Sequence, residues 1–214
     1  MTTVLLVRHG ETPWNREKRI QGWAPVSLSE RGREQAAAVA AHLATEYDVD
    51  RVVASDLRRT KETARVVARE TGATTTFDGG WRERSFGVYQ GLSYEDLFDG
   101  HPEFALGQVG YVAAEVEPES GESLLGARER VLDAFDRLLG ETEGTAAVVT
   151  HGGPIRIVLG HLRDLDVVEA VHGLDVENCS ITEFRADGDE VEIIEDCSVV
   201  REAPRAEREG RGTY

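Results

Sequence analysis

The sequence has few of the residues that mark secreted, metal-binding or membrane proteins. Cys179 and Cys197 are its only cysteines, too few for a disulfide framework, and neither lies in a nucleophile or metal-ligand motif. No apolar run approaches the roughly 20 residues that span a bilayer. Met1 leads directly into a strand-like apolar run, which leaves no room for a signal segment. We therefore expect a cytoplasmic protein that has no membrane partner.

Positive charge is also scarce, and nearly all of it is carried by arginine. Acidic residues outnumber basic ones 40 to 24, the formal net charge is -16, and Lys18 and Lys61 are the only lysines. Such an excess of negative charge argues against a nucleic-acid partner and means that any anionic ligand requires a local basic pocket. An acid-rich, lysine-poor surface is typical of salt-adapted proteins and also of acidic proteins from GC-rich genomes, so both origins stay open.

Three apolar runs, residues 3–7, 51–54 and 145–150, have the length and β-branched character of buried strands. Each is followed by polar residues and then by a helical pattern. In open α/β sheets, ligands bind beyond the carboxyl ends of parallel strands, so we expect these three strand ends to meet at one crevice. The pattern predicts an α/β fold, a three-layer α/β/α sandwich with a mostly parallel sheet.

The other elements follow from local signals. The first long helix begins after Ser27 or Ser29, with Ser27 and Glu30 spaced as a capping box, and a later helix is predicted to end at Gly140. Residues 73–77 form a third strand. Two alternating strands around residues 187–188 predict a hairpin that adds an antiparallel edge. A three-residue hairpin loop would place Cys179 opposite Cys197, where two packed thiols are favoured over a disulfide.

The domain organisation is read as one domain with an insertion. No Gly/Ser/Pro linker separates two cores, so we assign residues 1–199 to a single domain and residues 200–214 to a mobile tail with alternating charges. Residues 84–122 lack a clear period and form a lid-like insertion, with a short helix from Ser93. Residues 77–111 hold eight of the chain's fourteen aromatic side chains, which predicts a small core over the pocket rim.

The strongest chemical motif is Arg8-His9-Gly10-Glu11-Thr12, directly after the first strand. An arginine can bind a phosphate through two parallel charge-assisted hydrogen bonds, and a glycine lets the backbone approach a ligand closely. A lone Arg-His pair that merely caps a strand is the alternative. That alternative weakens because Arg58, Arg59 and His151 follow the other two strands.

These motifs together resemble the histidine phosphatase superfamily, which includes cofactor-dependent phosphoglycerate mutases, fructose-2,6-bisphosphatases and small phosphomonoesterases. The resemblance covers most of residues 4–197. It rests on the first motif and on further matches in the expected order, namely Asn15, Gln21-Gly22, Ser55-Asp56-Leu57-Arg58-Arg59, Glu83, Gly121-Glu122-Ser123 and Val149-Thr150-His151-Gly152-Gly153.

The resemblance implies a role for each matched residue. His9 would be the nucleophile that carries a phosphohistidine, and Glu83 the acid that protonates the leaving group. The alternative for Glu83 is a salt bridge to Arg82 or Arg84. Arg8, Arg59 and His151 would surround the phosphate oxygens. Charge alone does not choose between Arg58 and Arg59, but the family pattern falls on Arg59. Supporting substrate contacts would come from Asn15, Gln21, Gly22, Arg84 and Gly152.

Glu11 is expected to act indirectly, by orienting an arginine. No metal or nucleotide motif is visible, so we expect no cofactor. The predicted partner is a small-molecule phosphate ester, and a homodimer stays open.

The leading functional hypothesis is a phosphomonoesterase of small phosphorylated metabolites, with sugar phosphates or phosphoglycerate-like acids favoured. A bisphosphoglycerate-dependent phosphoglycerate mutase is the second reading, because Arg84 preserves part of the mutase pattern. A fructose-2,6-bisphosphatase-like enzyme is a third reading, and a non-catalytic module that binds phosphorylated ligands is a fourth. Against the mutase stands the acidic insertion, whose residues from Gly91 to Ser123 include no arginine or lysine.

Overall fold

A six-stranded sheet forms the centre of the computed structural model, which describes residues 1–188 and 190–200. Its strand order is β3-β2-β4-β1-β5-β6. The strands β1 to β4 pair in parallel, whereas β5 pairs antiparallel with both β1 and β6. This confirms the mostly parallel sheet with an antiparallel edge. The strands are β1 (Thr2–Arg8), β2 (Arg51–Ala54), β3 (Thr74–Phe77), β4 (Gly144–Thr150), β5 (Ser180–Asp187) and β6 (Glu190–Val199).

Helices cover both faces of the sheet, because the central strands are apolar on both sides. On β1, Val4 and Leu6 pack into one buried cluster, and Leu5 and Val7 pack into another. The first cluster includes residues of α7 and α8, and the second includes residues of α2 and α3. The helices are α1 (Pro13–Arg16), α2 (Glu30–Glu46), α3 (Arg58–Thr71), α4 (Tyr94–Gly100), α5 (Leu106–Val109), α6 (Val112–Glu115), α7 (Leu124–Glu141), α8 (Gly152–Leu162) and α9 (Val167–Gly173).

Two of the predicted helix ends differ in the structure. The cap of α2 is Ser29, whose side chain accepts from the Gly32 N–H, so the predicted Ser27 capping box was wrong. Ser29 is the cap, and Ser27 is not, because the Ser29 hydroxyl accepts a hydrogen bond from an N–H of the first turn that has no partner within the helix. The helix α7 passes through Gly140 and ends at Glu141. The chain leaves that helix through Thr142 in an extended conformation, at φ -106° and ψ 124°, so no left-handed glycine ends it.

The insertion packs as a small layer over the carboxyl ends of β1 and β4. It contains α4, α5 and α6, and Ser93 caps α4 as predicted. Its side chains build a separate apolar cluster around Ile20, Leu97 and Phe104. Seven of its acidic side chains face solvent and none of these seven lines the pocket, so the acidic character of the insertion does not by itself exclude a second anion. They are Glu95, Asp96, Asp99, Glu103, Glu115, Glu117 and Glu119.

The two cysteines lie on opposite faces of the sheet. Cys179 packs in the cluster with α2 and α3, whereas Cys197 packs against the cluster with α7 and α8. The hairpin register places Cys197 beside Thr182, whose hydroxyl lies 3.5 Å from Sγ, because a bulge shifts the strand pairing. The prediction that Cys179 faces Cys197 was therefore wrong, and both thiols are free. The predicted tail lies, apart from Val200, outside the described residues.

Candidate active site

Two buried imidazoles lie at the centre of the crevice where β1, β2 and β4 end. His9 follows β1 and His151 follows β4, and their ring centroids are 5.2 Å apart. The Arg59 Nε–H points between them, 3.2 Å from His9 Nε2 and 3.2 Å from His151 Nδ1. The structure thus brings together three predicted residues from three strand ends, as the topology required.

A backbone contact selects the tautomer of His9. Its Nδ1 lies 2.7 Å from the Gly10 carbonyl oxygen, which can only accept, so Nδ1 carries the proton. The lone pair of His9 is therefore on Nε2, the nitrogen that faces Arg59. His151 is oriented from the other side, because its Nε2 lies 2.9 Å from Ser55 Oγ. Ser55 belonged to a motif that the sequence singled out, but its contact with the ring was not predicted.

Both imidazoles are held in the neutral form. Burial first, and then the charges of Arg59 and Arg8, lower the pKa of His9 well below its ordinary value of 6.5. The pKa of His151 is lowered in the same direction, by burial and then by Arg59 and His9. The predicted influence of nearby arginines is present, although burial is the larger cause. A neutral His9 keeps its Nε2 lone pair available for nucleophilic attack at neutral pH.

The guanidinium of Arg59 is almost fully buried and is fixed by loop carbonyls. Its Nη2 donates to the Gly22 carbonyl at 2.8 Å, and its Nη1 to the Ala24 carbonyl at 3.3 Å. Burial lowers the pKa of Arg59 to about 10, so it stays charged at neutral pH. Arg58, by contrast, is exposed and pairs with Glu62 one turn along α3. The structure therefore places Arg59, and not Arg58, beside the histidines.

Arg8 supplies a second buried cation to the crevice. Its Nη1 donates to the Val176 carbonyl at 2.5 Å. Its Nε is buried without a hydrogen-bond partner among the described residues. Burial and the charge of Arg156 lower the pKa of Arg8. A buried donor without a partner costs free energy, and an anionic oxygen at this site would satisfy it.

Glu83 lines the pocket, and two backbone N–H groups hold its carboxylate. Its Oε1 accepts from the Arg84 N–H at 2.9 Å, and its Oε2 from the Gly153 N–H at 3.2 Å. The alternative salt bridge does not form, because Arg82 pairs with Asp56 and the Arg84 side chain donates to carbonyls. A Cβ on Gly153 would lie 2.1 Å from Oε1, so only glycine lets the carboxylate approach this helix so closely.

Arg130 of α7 holds the segment that carries Glu83 through hydrogen bonds to its backbone carbonyls. Arg130 Nη1 donates to the carbonyls of Gly80 at 2.8 Å and Arg82 at 3.0 Å, and its Nη2 lies 3.4 Å from that of Glu83. Arg130 also forms an ion pair of 2.5 Å with Glu122, whose Oε1 accepts from a backbone N–H two residues beyond Glu83. The Gly121-Glu122-Ser123 motif therefore supports the position of Glu83.

Asn15, Gln21 and Gly22 line the pocket as predicted, and each also contacts other residues at its rim. Asn15 Oδ1 accepts from the backbone and hydroxyl of Thr12, and Gln21 Oε1 accepts from the same hydroxyl. The pocket is also lined by Gly22, whose carbonyl anchors Arg59. These contacts show how the 12–24 loop is fixed beside the crevice.

Three other residues differ more from their predicted roles. The Arg84 guanidinium is buried against the Phe86 ring and donates to the carbonyls of Glu122 and Val116, so much of its hydrogen-bonding capacity serves the insertion. Gly152 opens α8 beside Arg8, whereas the neighbouring Gly153 lines the pocket. Glu11 accepts from the Ser29 hydroxyl at the α2 cap and forms an ion pair of 3.8 Å with Arg16. The arginine that it contacts is therefore the exposed Arg16, and not Arg8 or Arg59.

Two polar residues of the pocket, Arg156 and Tyr94, were not predicted from the sequence. Arg156 lies one turn into α8, within an otherwise apolar stretch, and its Nε donates to the Leu174 carbonyl at 2.7 Å. The signal for Arg156 was its position one turn after the Gly152-Gly153 pair. Tyr94 enters from α4. Burial and the Glu83 carboxylate raise the pKa of Tyr94, which keeps its hydroxyl protonated.

Two features bear on cofactors and membranes. Within residues 1–188 and 190–200, no group of three or more His, Cys, Asp or Glu side chains is placed to hold a metal ion. The helices of that same part of the chain are all too short or too polar to cross a bilayer.

Comparison with known proteins places this site in a family. The family model described as "Histidine phosphatase superfamily (branch 1)" matches residues 4–196. The chain is 37% identical over 190 residues to phosphoglycerate mutase-like protein 4 of Arabidopsis thaliana, which covers 87% of this chain and 80% of that protein. It is 34% identical to the bifunctional protein Rv2228c of Mycobacterium tuberculosis, but spans only 51% of that relative.

Solved structures show the same architecture. Bacillus stearothermophilus YhfR superposes with a TM-score of 0.84 at 27% identity, covering 93% of this chain and 98% of that one. The mycobacterial glucosyl-3-phosphoglycerate phosphatase Rv2419c, solved with VO3, superposes with a TM-score of 0.76 at 28% identity, covering 89% and 96%. The chain belongs to branch 1 of the histidine phosphatase superfamily and is a histidine phosphatase, a phosphoric monoester hydrolase.

Proposed function

We propose that the protein hydrolyses small phosphorylated metabolites through a phosphohistidine formed on His9. The observation that carries this proposal is the His9 ring itself. Its Nδ1 proton is held by the Gly10 carbonyl, its Nε2 lone pair accepts from the Arg59 Nε–H at the pocket wall, and its pKa is lowered. A phosphate oxygen that takes over the Arg59 donor frees this lone pair for attack. A neutral, oriented imidazole among buried cations is suited to attack a phosphate dianion.

The first chemical step transfers the phosphoryl group to His9 Nε2. The bond from phosphorus to the ester oxygen breaks as the bond to nitrogen forms, and charge accumulates on the three equatorial oxygens. Arg8 and Arg59 lie beside the position of those oxygens and stabilise that charge, and His151 positions Arg59, because its Nδ1 accepts from the Arg59 Nε–H. Glu83 gives its proton to the departing alkoxide, because that leaving group is too basic to depart unaided.

The second step transfers the phosphoryl group from His9 to water. Glu83 is then ionised and removes a proton from the attacking water molecule, which restores the acid for the next turnover. Inorganic phosphate leaves and His9 returns to its neutral form. The net reaction consumes one water molecule and needs no metal or other cofactor. The phosphatases among the solved relatives support water as the acceptor.

The proposal is tested by trapping the intermediate. After mixing with a ³²P-labelled aryl phosphate and rapid quenching, the wild-type chain should carry an acid-labile, base-stable label, as expected of a phosphohistidine. His9→Ala should carry no label and release no phosphate. Cys179→Ser and Cys197→Ser are the controls, because both thiols are free and lie outside the crevice. A His9→Ala variant that still turns over substrate would refute the mechanism.

The mutase reading is separated by the fate of the phosphoryl group. With 3-phosphoglycerate as substrate, free phosphate and 2-phosphoglycerate are measured side by side, with and without 2,3-bisphosphoglycerate. We expect phosphate release to dominate in both cases. Faster isomerisation that depends on the bisphosphate would overturn the proposal in favour of the mutase.

A further inference from the structure

Trp23 lies in the loop beside the crevice, and its chain neighbours on both sides hold Arg59. The Gly22 carbonyl accepts from Arg59 Nη2 at 2.8 Å, and the Ala24 carbonyl lies 3.3 Å from Arg59 Nη1. The backbone N–H of Trp23 donates to Gln90 Oε1, which belongs to the insertion. The backbone of Trp23 is therefore fixed to the arginine that lies between the two histidines.

The indole of Trp23 contacts the segment that carries the proposed acid. Its Nε1–H donates to the Glu83 carbonyl at 2.7 Å, whereas Arg130 Nη2 lies 3.4 Å from the same oxygen. In the described part of the chain, the bond from Trp23 is the shorter of the two that this carbonyl receives from side chains. One residue thus connects the backbone that anchors Arg59 to the backbone of Glu83.

The indole ring is held in place by the residue that precedes Glu83. The guanidinium carbon of Arg82 lies 4.5 Å from the centre of the Trp23 ring, within the range of a cation–π contact. Arg82 Nε and Nη2 both donate to the Asp56 carboxylate, each at 2.5 Å, and Asp56 lies two residues after β2. Because the cation over its face is itself fixed, the indole keeps one orientation and its N–H points at one carbonyl.

The position of the Glu83 carboxyl depends on the position of its backbone. Its two oxygens accept from the N–H groups of Arg84 and Gly153, so the side chain has little freedom to compensate for a backbone shift. A general acid must lie within hydrogen-bond reach of the oxygen that it protonates. A misplacement of about 1 Å in an active site is already costly to the rate.

We infer that Trp23 is a positioning residue whose indole N–H sets the distance between the Glu83 carboxyl and the leaving-group oxygen of a phosphate ester bound at Arg59. The inference rests on the proposed function, in which Glu83 is the acid. Trp23 does not line the pocket, so it acts through the Glu83 backbone and not on the substrate. Its side chain is 38% exposed, so exchanging it for another aromatic ring leaves the core of the fold intact.

Trp23→Phe tests the inference, because it keeps an aromatic ring beside Arg82 and removes the N–H donor. With ethyl phosphate, whose leaving group needs a proton, we expect kcat/KM to fall about threefold to tenfold, the effect of one hydrogen bond. Phosphoenzyme formation from p-nitrophenyl phosphate, whose leaving group needs no proton, should be nearly unchanged. Tyr111→Phe is the matched control, because it also removes one donor from an aromatic ring of the insertion, 51% exposed, and it should change neither rate.

A double-mutant cycle distinguishes an effect through Glu83 from a general loss of structure. Glu83→Gln keeps the carbonyl at position 83 but removes the acid, so adding Trp23→Phe to it should cost no further activity toward ethyl phosphate. Equal losses in the two measurements, no loss in either, or full additivity of the two substitutions would overturn the inference. A wild-type chain that releases phosphate from no ester, or a His9→Ala chain that still releases it, would instead overturn the proposed function.

Discussion

The two buried imidazoles predict a specific dependence of stability on pH. His9 and His151 have pKa values well below 6.5 in the folded protein, so below that pH the unfolded chain binds protons that the folded chain does not. Stability contributed by the neutral rings is therefore fully present above pH 6.5 and is lost as the pH falls below it. This is the direction expected of a histidine whose folded-state pKa is depressed.

The magnitude follows from the unfolded-state pKa. For each ring that stays neutral when folded, lowering the pH from 7.5 to 5.5 reduces the free energy of unfolding by about 1.4 kcal/mol. The two rings together give about 2.7 kcal/mol. Asp56 has a pKa lowered below its ordinary value of 3.8 by Arg82 and therefore titrates at a lower pH.

Urea unfolding at the two pH values measures this loss. In His9→Asn, one of the two titrations is removed, so the difference between pH 7.5 and 5.5 should fall to about half of the wild-type value. His161→Gln, which replaces an exposed histidine of α8, is the matched control and should keep the full difference. A wild-type protein equally stable at both values, or a His9→Asn variant with an unchanged difference, would refute the reasoning.

Three further predictions concern the acid and the surface. Glu83→Gln should reduce turnover of alkyl phosphates by about 10²–10⁴-fold and spare phosphoenzyme formation from an aryl phosphate; equal losses would make Glu83 structural. Arg130→Met should also reduce turnover of alkyl phosphates more than phosphoenzyme formation from an aryl phosphate, but by a smaller factor, because it removes the hydrogen bonds to the carbonyls around Glu83. Arg137→Met is the control, because the exposed Arg137 side chain pairs with Asp78, and it should show no such difference. Molar NaCl should raise the thermal midpoint by screening a net charge of -16, and a midpoint insensitive to salt would contradict this.

The sequence predicted the centre of the site because that centre depends on strand ends. His9, Arg59 and His151 each follow a buried apolar run, and parallel strands bring such positions together whatever the loops do. The choice of Arg59 over Arg58 came from the family pattern, and burial gives it a physical basis. Arg156 was missed because it interrupts an apolar helical stripe and carries no motif.

The partners of the polar side chains were the hardest features to predict. Arg84 lines the pocket, and its Nε and Nη2 also donate to carbonyls of a segment that lacks periodicity, so no sequence spacing reveals these contacts. Glu11 was assigned to an arginine, but a nearby serine hydroxyl at a helix cap is the better partner. The orientation of the acidic insertion depends on short helices whose faces the sequence did not define.

The way in which the pocket arginines are held explains how an acidic protein can bind an anion. Arginines on the surface pair with carboxylates, as Arg58 does with Glu62 and Arg163 with Asp196. Such pairs cancel charge. The arginines of the pocket are anchored mainly by backbone carbonyls, which fix a guanidinium without neutralising its charge. The anchoring carbonyls belong to Val176 for Arg8, Gly22 and Ala24 for Arg59, and Leu174 for Arg156.

This difference leaves a concentrated positive charge inside a chain whose net charge is -16. Burial first, and then repulsion from the charge of Arg156, lower the pKa of Arg8. A phosphate dianion between them would relieve that repulsion and would give the buried Arg8 Nε its missing acceptor. A dianion should therefore bind this site more tightly than a neutral ligand, because the pocket arginines are anchored by carbonyls and have no carboxylate that neutralises them.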